Sequence, residues 1–157
     1  MSAVEDASPR APVGSTLRLF TFAYMALTLL LLVFFAVSGL PANSGASMGA
    51  LIGAALYAGL AFARKARRPP RGREVWLLSL GSFAISAGLS ILLVVFTAVT
   101  SGTGLEELAL LLAMLQRELT GPGLYLAIGI VSLMHILALW VAYGPLIRFL
   151  HRRTGTS

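Results

Sequence analysis

Three stretches without a single Asp, Glu, Lys or Arg dominate this chain: Leu19 to Ala63, Val75 to Leu105 and Leu119 to Ile147. A helix needs roughly 20 consecutive apolar residues to cross a hydrocarbon core of ~30 Å. The first stretch is long enough for two crossings and a short turn, and each of the others for one. A closed barrel also satisfies backbone polar groups in lipid, but its strands alternate apolar and polar residues. Runs such as Leu29-Leu30-Leu31-Leu32-Val33-Phe34-Phe35 do not alternate. The expected fold class is therefore all-α, an integral membrane four-helix bundle forming one domain over 1–157.

Composition agrees with that reading and removes several function classes. A water-soluble domain carries about a quarter charged residues, whereas this chain has 11% charged against 57% hydrophobic residues. It has no cysteine, which removes disulfides, thiolate metal sites and lipidated cysteines. The net charge of +6 raises the question of nucleic acid. The cations adjoin span ends, however, where anionic lipid headgroups are the simpler partner. No nucleic acid is expected.

Orientation rests on Arg64, Lys65, Arg67, Arg68, Arg71 and Arg73, a basic loop that faces the single acid Glu74 and is broken by Pro69-Pro70. Proline removes a backbone donor and clashes with the preceding turn, so one helix cannot run through. A short loop this rich in cations belongs on the cytoplasmic side. Arg10 and Arg18 before the first span, and Arg148, Arg152 and Arg153 after the last, agree. The segment from Thr97 to Gly123 holds only Arg117 among cations. The expected location is a cytoplasmic membrane, with both termini inside.

Spans are expected at about 17–38, 47–63, 75–97 and 124–146, after a disordered tail over 1–16. Ala36-Val37-Ser38 has the small residues of a signal-peptidase site, but the apolar segment is longer than a signal core, so a retained helix is expected. Gly39 to Gly45 concentrates turn formers. Thr103-Gly104-Leu105-Glu106 fits a capping box, opening a short interfacial helix over about 104–119 between the third and fourth spans. Gly144-Pro145 should interrupt the fourth span, and Trp76, Trp140 and Tyr143 suit interfacial depth.

Two patterns carry candidate function. Gly45, Gly49 and Gly53 recur every fourth residue in the second span, a small-residue face that lets helix backbones approach closely in lipid. The repeat fits packing within the chain, against a second copy or against another membrane protein. Ser79, Ser82, Ser86 and Ser90 fall three and four apart along one side of the third span, the side expected to face protein. His135 is the strongly titratable side chain inside a span. Counting ~1.5 Å per residue from Leu124 puts it roughly 16 Å deep, level with Thr28 and Ser86. A buried polar cluster of His135, Ser86, Ser82, Ser90 and Thr28, near Gly53, is expected.

Enzyme chemistry lacks partners here. Membrane aspartyl peptidases need paired intramembrane carboxylates, and the spans have none. His135 and His151 lie ~24 Å apart along a helix, too far to share a metal, and no cofactor motif is present. Ser86 with His135 supplies at most a nucleophile and base, without an oxyanion hole. The microsomal glutathione-transferase class has similar size and helix count, but its Arg and Glu motifs are missing. The expectation is a non-enzymatic protein acting through helix packing, as an accessory subunit or small oligomer. The alternative is a small transporter or proton-coupled channel with His135 lining the path.

The combination Gly59-x-x-Phe62-x-Arg64, Arg68-Pro69, Glu74-x-Trp76-x-Leu78 and Ser82-x-x-x-Ser86 resembles a family of small four-span bacterial inner-membrane proteins known by an ABZJ-type locus tag. The likeness covers mainly the second and third spans with their loop. Pro69-Pro70 and additional arginines stand here where that family has a plainer Gly-Arg-x-Pro. The resemblance implies a bacterial inner-membrane location and carries over no activity, cofactor or catalytic residue.

Overall fold

The computed structural model describes residues 12–41, 44–100, 109–110, 113–114 and 122–154. The helices are α1 (Val13–Ser38), α2 (Ser44–Ala66), α3 (Gly72–Thr100), α4 (Pro122–Val141) and α5 (Ile147–Thr154). A π turn, Ala142–Leu146, joins α4 to α5. Four of the helical stretches are long and apolar enough to cross a membrane, and no strand occurs among the described residues. The chain is a multi-pass helical membrane protein. Residues 13–16 of the expected tail are not tail but the opening turn of α1, and residues 1–11 lie outside the described residues. So does the expected interfacial helix at 104–119, apart from 109–110 and 113–114, which are helical.

Helix ends follow from local chemistry. α1 stops where Gly39 enters the left-handed region at φ 68°, and its N–H donates to the Phe35 carbonyl at 3.1 Å. Glycine takes that conformation without steric penalty. α2 stops at Arg67, which takes the same region at φ 53° with a side chain attached. α3 opens with a half capping box: Glu74, third in the helix, accepts from the Arg71 N–H at 2.8 Å. Arg64, Lys65, Arg73 and Glu74 are helical, because charge marks the edge of the oil and not the last backbone hydrogen bond.

Gly144-Pro145 changes the fourth span without ending it. The ring of an interior proline collides with the carbonyl four residues back, here that of Val141. The chain responds by widening into the π turn and then resuming as α5, the usual accommodation of an extra residue inside a helix. One consequence corrects the sequence reading of Tyr143. Instead of lying at the interface, it is wholly buried in the bundle.

α1 packs against α2 and α3, and α4 packs against the same two helices. No comparable interface joins α1 to α4 or α2 to α3 among the described residues. The ring order is therefore α1, α2, α4, α3, with α1 and α4 on opposite corners. The most apolar stretch of α2 is 44% buried against 6% for α1, so α2 is the central span. Lys65 Nζ reaches Ser15 Oγ at 3.4 Å, and Ile147 lies against Gly59. These contacts gather the start of α1, the end of α2, the start of α3 and all of α5 at one basic end.

The core lies in the half next to that end. Phe20 and Tyr24 of α1 stack with centroids 5.7 Å apart. They pack with Leu51, Ala54, Ala58 and Phe62 of α2, Val75 and Leu78 of α3, and Leu139 and Tyr143 of α4 and the π turn. In the other half, apolar side chains of α1, α3 and α4 such as Phe34, Phe96 and Leu126 point away from protein and are more than half exposed.

Candidate functional site

At the basic end the α2–α3 loop is a clamped structure. Both Arg68 terminal nitrogens donate to the two Glu74 carboxylate oxygens, each at 2.7 Å. Such a fork is the stronger, oriented kind of ion pair. The Arg68 guanidinium also stands 6.0 Å from the centre of the buried Phe62 ring, and Pro70 is fully buried beneath the loop. The hydrogen bond that Arg68 donates to Glu74 raises its pKa above the ordinary value, against a smaller opposing effect of desolvation. Of the six loop cations, Arg64, Lys65, Arg67, Arg71 and Arg73 are exposed. Arg68 is the one of the six whose side chain pairs with Glu74, and the Arg71 N–H adds a second bond to the same carboxylate.

One layer deeper, the serine side of α3 faces protein for most of its length. Ser79, Ser82 and Ser86 are buried, and Ser90 is exposed. Ser79 Oγ donates to the Val75 carbonyl at 2.8 Å, a bond within its own helix. Ser82 Oγ instead meets the Tyr143 hydroxyl at 2.8 Å. This bond ties α3 to the π turn across the buried centre of the bundle.

Beyond that layer lies a polar cavity of about 290 Å³. Its walls include Tyr24 of α1, Ser47 of α2, Ser86 and Ser90 of α3, and Ser132 and His135 of α4. Leu51 and Phe83 line it as well. Ser47, Ser90 and Val131 on its rim are exposed, so the cavity opens away from the packed layer. His135 Nδ1 lies 2.8 Å from the Val131 carbonyl. A carbonyl can only accept, so Nδ1 carries the proton, and in the neutral ring Nε2 is left as an acceptor.

Of the residues expected to cluster, the structure brings His135, Ser86 and Ser90 to one cavity and separates the other two. Ser82 lies below, bonded to Tyr143. Thr28 lines a neighbouring apolar cavity of about 310 Å³ between α1 and α3, which shares Tyr24 and Ser90 with the polar one but not His135. The reason is the diagonal placement of α1 and α4: residues at equal depth on those helices need not meet. A Cβ on Gly53 would lie 3.6 Å from Leu27 of α1, and Gly53 is not among the residues lining the polar cavity.

The small-residue face is used only in part. Gly53 packs on α1, whereas Gly45 is exposed and a methyl group added at Gly49 would have no neighbour within 4 Å. The closest helix approaches occur at two other glycines. A Cβ on Gly59 would come within 2.9 Å of Ile147, and one on Gly81 within 2.9 Å of Leu17. Tyr24, Ser47 and Ser132 are the site residues that sequence reasoning does not single out, and Tyr143 is singled out there only for interfacial depth. A signal exists in α4, where Ser132, His135, Leu139 and Tyr143 are spaced three and four apart on one face.

Among the described residues, no three His, Cys, Asp or Glu side chains stand together in a way that could hold a metal ion. The cavity presents hydroxyls, one imidazole and aromatic edges, an arrangement suited to hydrogen bonding a solute or water. No protein-family model, curated protein or solved structure matches this chain.

Proposed function

We propose that this chain is a non-enzymatic bacterial inner-membrane protein that acts through helix packing, as a small oligomer or an accessory subunit. Its basic end would face the cytoplasm. The observation that carries the reading is the open upper part of the α2 glycine face, where Gly49 meets no other helix among the described residues while Gly53, one turn away, is in contact. Close backbone approach at such faces is a principal means of association in lipid. The orientation is supported by the cations Arg18, Arg64, Lys65, Arg67, Arg68, Arg71, Arg73, Arg148, Arg152 and Arg153. All stand at one end, with Glu74 the sole acidic side chain among the described residues. Anionic lipid headgroups are natural partners for the exposed cations.

The test is subunit counting in lipid bilayers by single-molecule photobleaching. Wild type should show more than one copy per spot, Gly49→Leu should shift to single copies, and Gly88→Leu, which also faces open space, should resemble wild type. A wild type that is already single, or a Gly49→Leu protein that still associates, removes the small-oligomer form of this reading.

A second reading is supported by the polar cavity at His135, because polar groups at depth in a membrane protein commonly mark solute or ion paths. On that reading the chain is a small transporter or proton-coupled channel. Flux in proteoliposomes that is lost in His135→Ala supports it, and absence of flux for every ion and solute tried retires it.

A further inference from the structure

We infer that the cavity between Tyr24 and His135 is a binding site for a small neutral solute rich in hydrogen-bond donors, of the primary amide or urea class. The inference starts from where the protons in its wall already point. Ser86 Oγ donates to the Phe83 carbonyl at 2.9 Å, and Ser90 Oγ donates to the Ser86 carbonyl at 2.8 Å. His135 donates from Nδ1 to the Val131 carbonyl at 2.8 Å. Each of these groups has given a proton to its own helix, which leaves a lone pair on each hydroxyl and, in the neutral ring, on His135 Nε2, and all three residues line the cavity. Three wall groups on α3 and α4 are thereby acceptors.

The remaining hydroxyls, of Tyr24, Ser47 and Ser132, turn either way. The four N–H groups of urea can reach all three fixed acceptors and the two of a primary amide can reach two of them, with the carbonyl left for an adaptable hydroxyl, whereas a solute that only accepts can satisfy the three adaptable hydroxyls at most. Tyr24 and Ser86 are buried and Ser132 and His135 half-buried, whereas Ser47 and Ser90 sit on the exposed rim. Leaving a buried polar group unpaired costs about 1–3 kcal/mol, so the inner wall selects donors. Charge then narrows the class. No acidic side chain lines the cavity, so a cation there lacks a counter-ion in a low-dielectric setting, and an anion faces lone pairs. A neutral donor meets neither penalty. The volume of about 290 Å³ corresponds to roughly ten waters at ~30 Å³ each, enough for a solute of a few heavy atoms and its hydration.

This inference shares the cavity with the transport reading but needs only binding. The chain has two histidines, so the protein labelled with ¹⁵N-histidine in lipid nanodiscs gives two sets of ring signals, assigned with His151→Gln. Acetamide should shift the His135 Nε2 signal saturably. N,N-dimethylacetamide, which keeps the carbonyl and lacks N–H, and methylammonium, a cationic donor, should not. The Ser86→Ala, Ser90→Ala double variant should weaken acetamide about tenfold by removing two acceptors. It should keep its fold, since both hydroxyls bond only within α3, and this is checked by its circular dichroism and elution volume.

An equal response to N,N-dimethylacetamide, a stronger response to methylammonium, or no saturable shift with acetamide overturns the inference. Saturable acetamide binding without flux of acetamide, protons or any other ion tried in proteoliposomes upholds the site and removes the transport reading. Flux that depends on His135 without saturable acetamide binding upholds transport and overturns the site.

Discussion

The half of the bundle beside the basic loops and the half away from them use the same apolar alphabet and come out differently. In the basic half, Gly59 draws α2 onto Tyr143 and Ile147, Gly81 draws α3 onto Leu17, and a buried Ser82–Tyr143 bond crosses the centre. In the other half, Leu29, Phe34, Ile91, Phe96, Leu126 and Ile130 are all more than half exposed. In water those side chains would be driven together. Lipid tails are as apolar as leucine, so in a bilayer hydrophobicity places a helix in the membrane without choosing its neighbour. Small residues in contact with a neighbouring helix and polar bonds make that choice, and the tight contacts at Gly59 and Gly81 and the Ser82–Tyr143 bond lie at the basic end.

The largest expected contrast between the halves is access to water. The chain has no cysteine, so a single introduced thiol is an unambiguous probe, and thiols react as thiolates, which need solvent. Ser132→Cys, on the cavity wall, should label with a small hydrophilic thiol reagent, and Ser82→Cys, fully buried, should not. Equal labelling would erase the distinction between the halves. Next in size is the effect of filling a glycine. Gly59→Leu places its side chain where even a Cβ comes within 2.9 Å of Ile147 and 3.2 Å of Tyr143. It should destabilise the fold by about 3 kcal/mol, at the upper end of overpacking costs. Gly49→Leu, in open space, should change monomer stability by less than about 0.5 kcal/mol. Thermal unfolding of both variants in one detergent, below the concentration at which copies associate, is the measurement.

How much of this can be read beforehand differs between the two halves as well. Uncharged runs announce helices anywhere, and the turn at Gly39 is visible as the end of α1, because both signals are local. The serine side of α3 is visible from its spacing. The partner of Ser82 is not, because a tyrosine near a span end looks the same whether it lies at the headgroups or turns inward, and the π turn at Pro145 decides between them. Nor can the sequence separate the glycine face of α2 from its alanine face. Ala50, Ala54 and Ala58 recur at the same interval as Gly45, Gly49 and Gly53, and it is the alanines that are buried. Thr28 shares only its depth with His135, and depth says nothing about which corners of the ring two helices occupy.

The clamp at the basic end gives an effect of intermediate size. Glu74→Gln removes the carboxylate that receives both Arg68 nitrogens and the Arg71 N–H. The side chains of Arg68 and Glu74 are 34% and 15% exposed, so solvent screens part of the attraction and the loss should be about 1 kcal/mol. Its signature is local. Amide exchange should quicken at Arg71 and Val75, where the loop meets α3, while the Ser82 region stays protected. Exchange that quickens throughout α3 would mean that the clamp holds the whole packed half together.

Tyr143→Phe should have a smaller effect than the loss of the clamp, about 0.6 kcal/mol, the average for interhelical hydrogen bonds in membranes. The reason lies in what Ser82 can do afterwards. Its hydroxyl is four residues beyond Leu78, and Ser79 in the same helix already bonds the carbonyl four residues before it. Ser82 can therefore rotate and bond its own backbone, so no buried donor is stranded. The ring of Tyr143 keeps its place against Gly59, so packing survives the loss of the hydroxyl. A double-mutant cycle with Ser82→Ala isolates the pair, and its coupling energy should match the single loss. A coupling well above ~1.7 kcal/mol, the largest value seen for such bonds, would mean that the bond rather than the close fit of Gly59, Tyr143 and Ile147 shuts the basic half. The difference between the two ends of the bundle would then come down to one pair of hydroxyls.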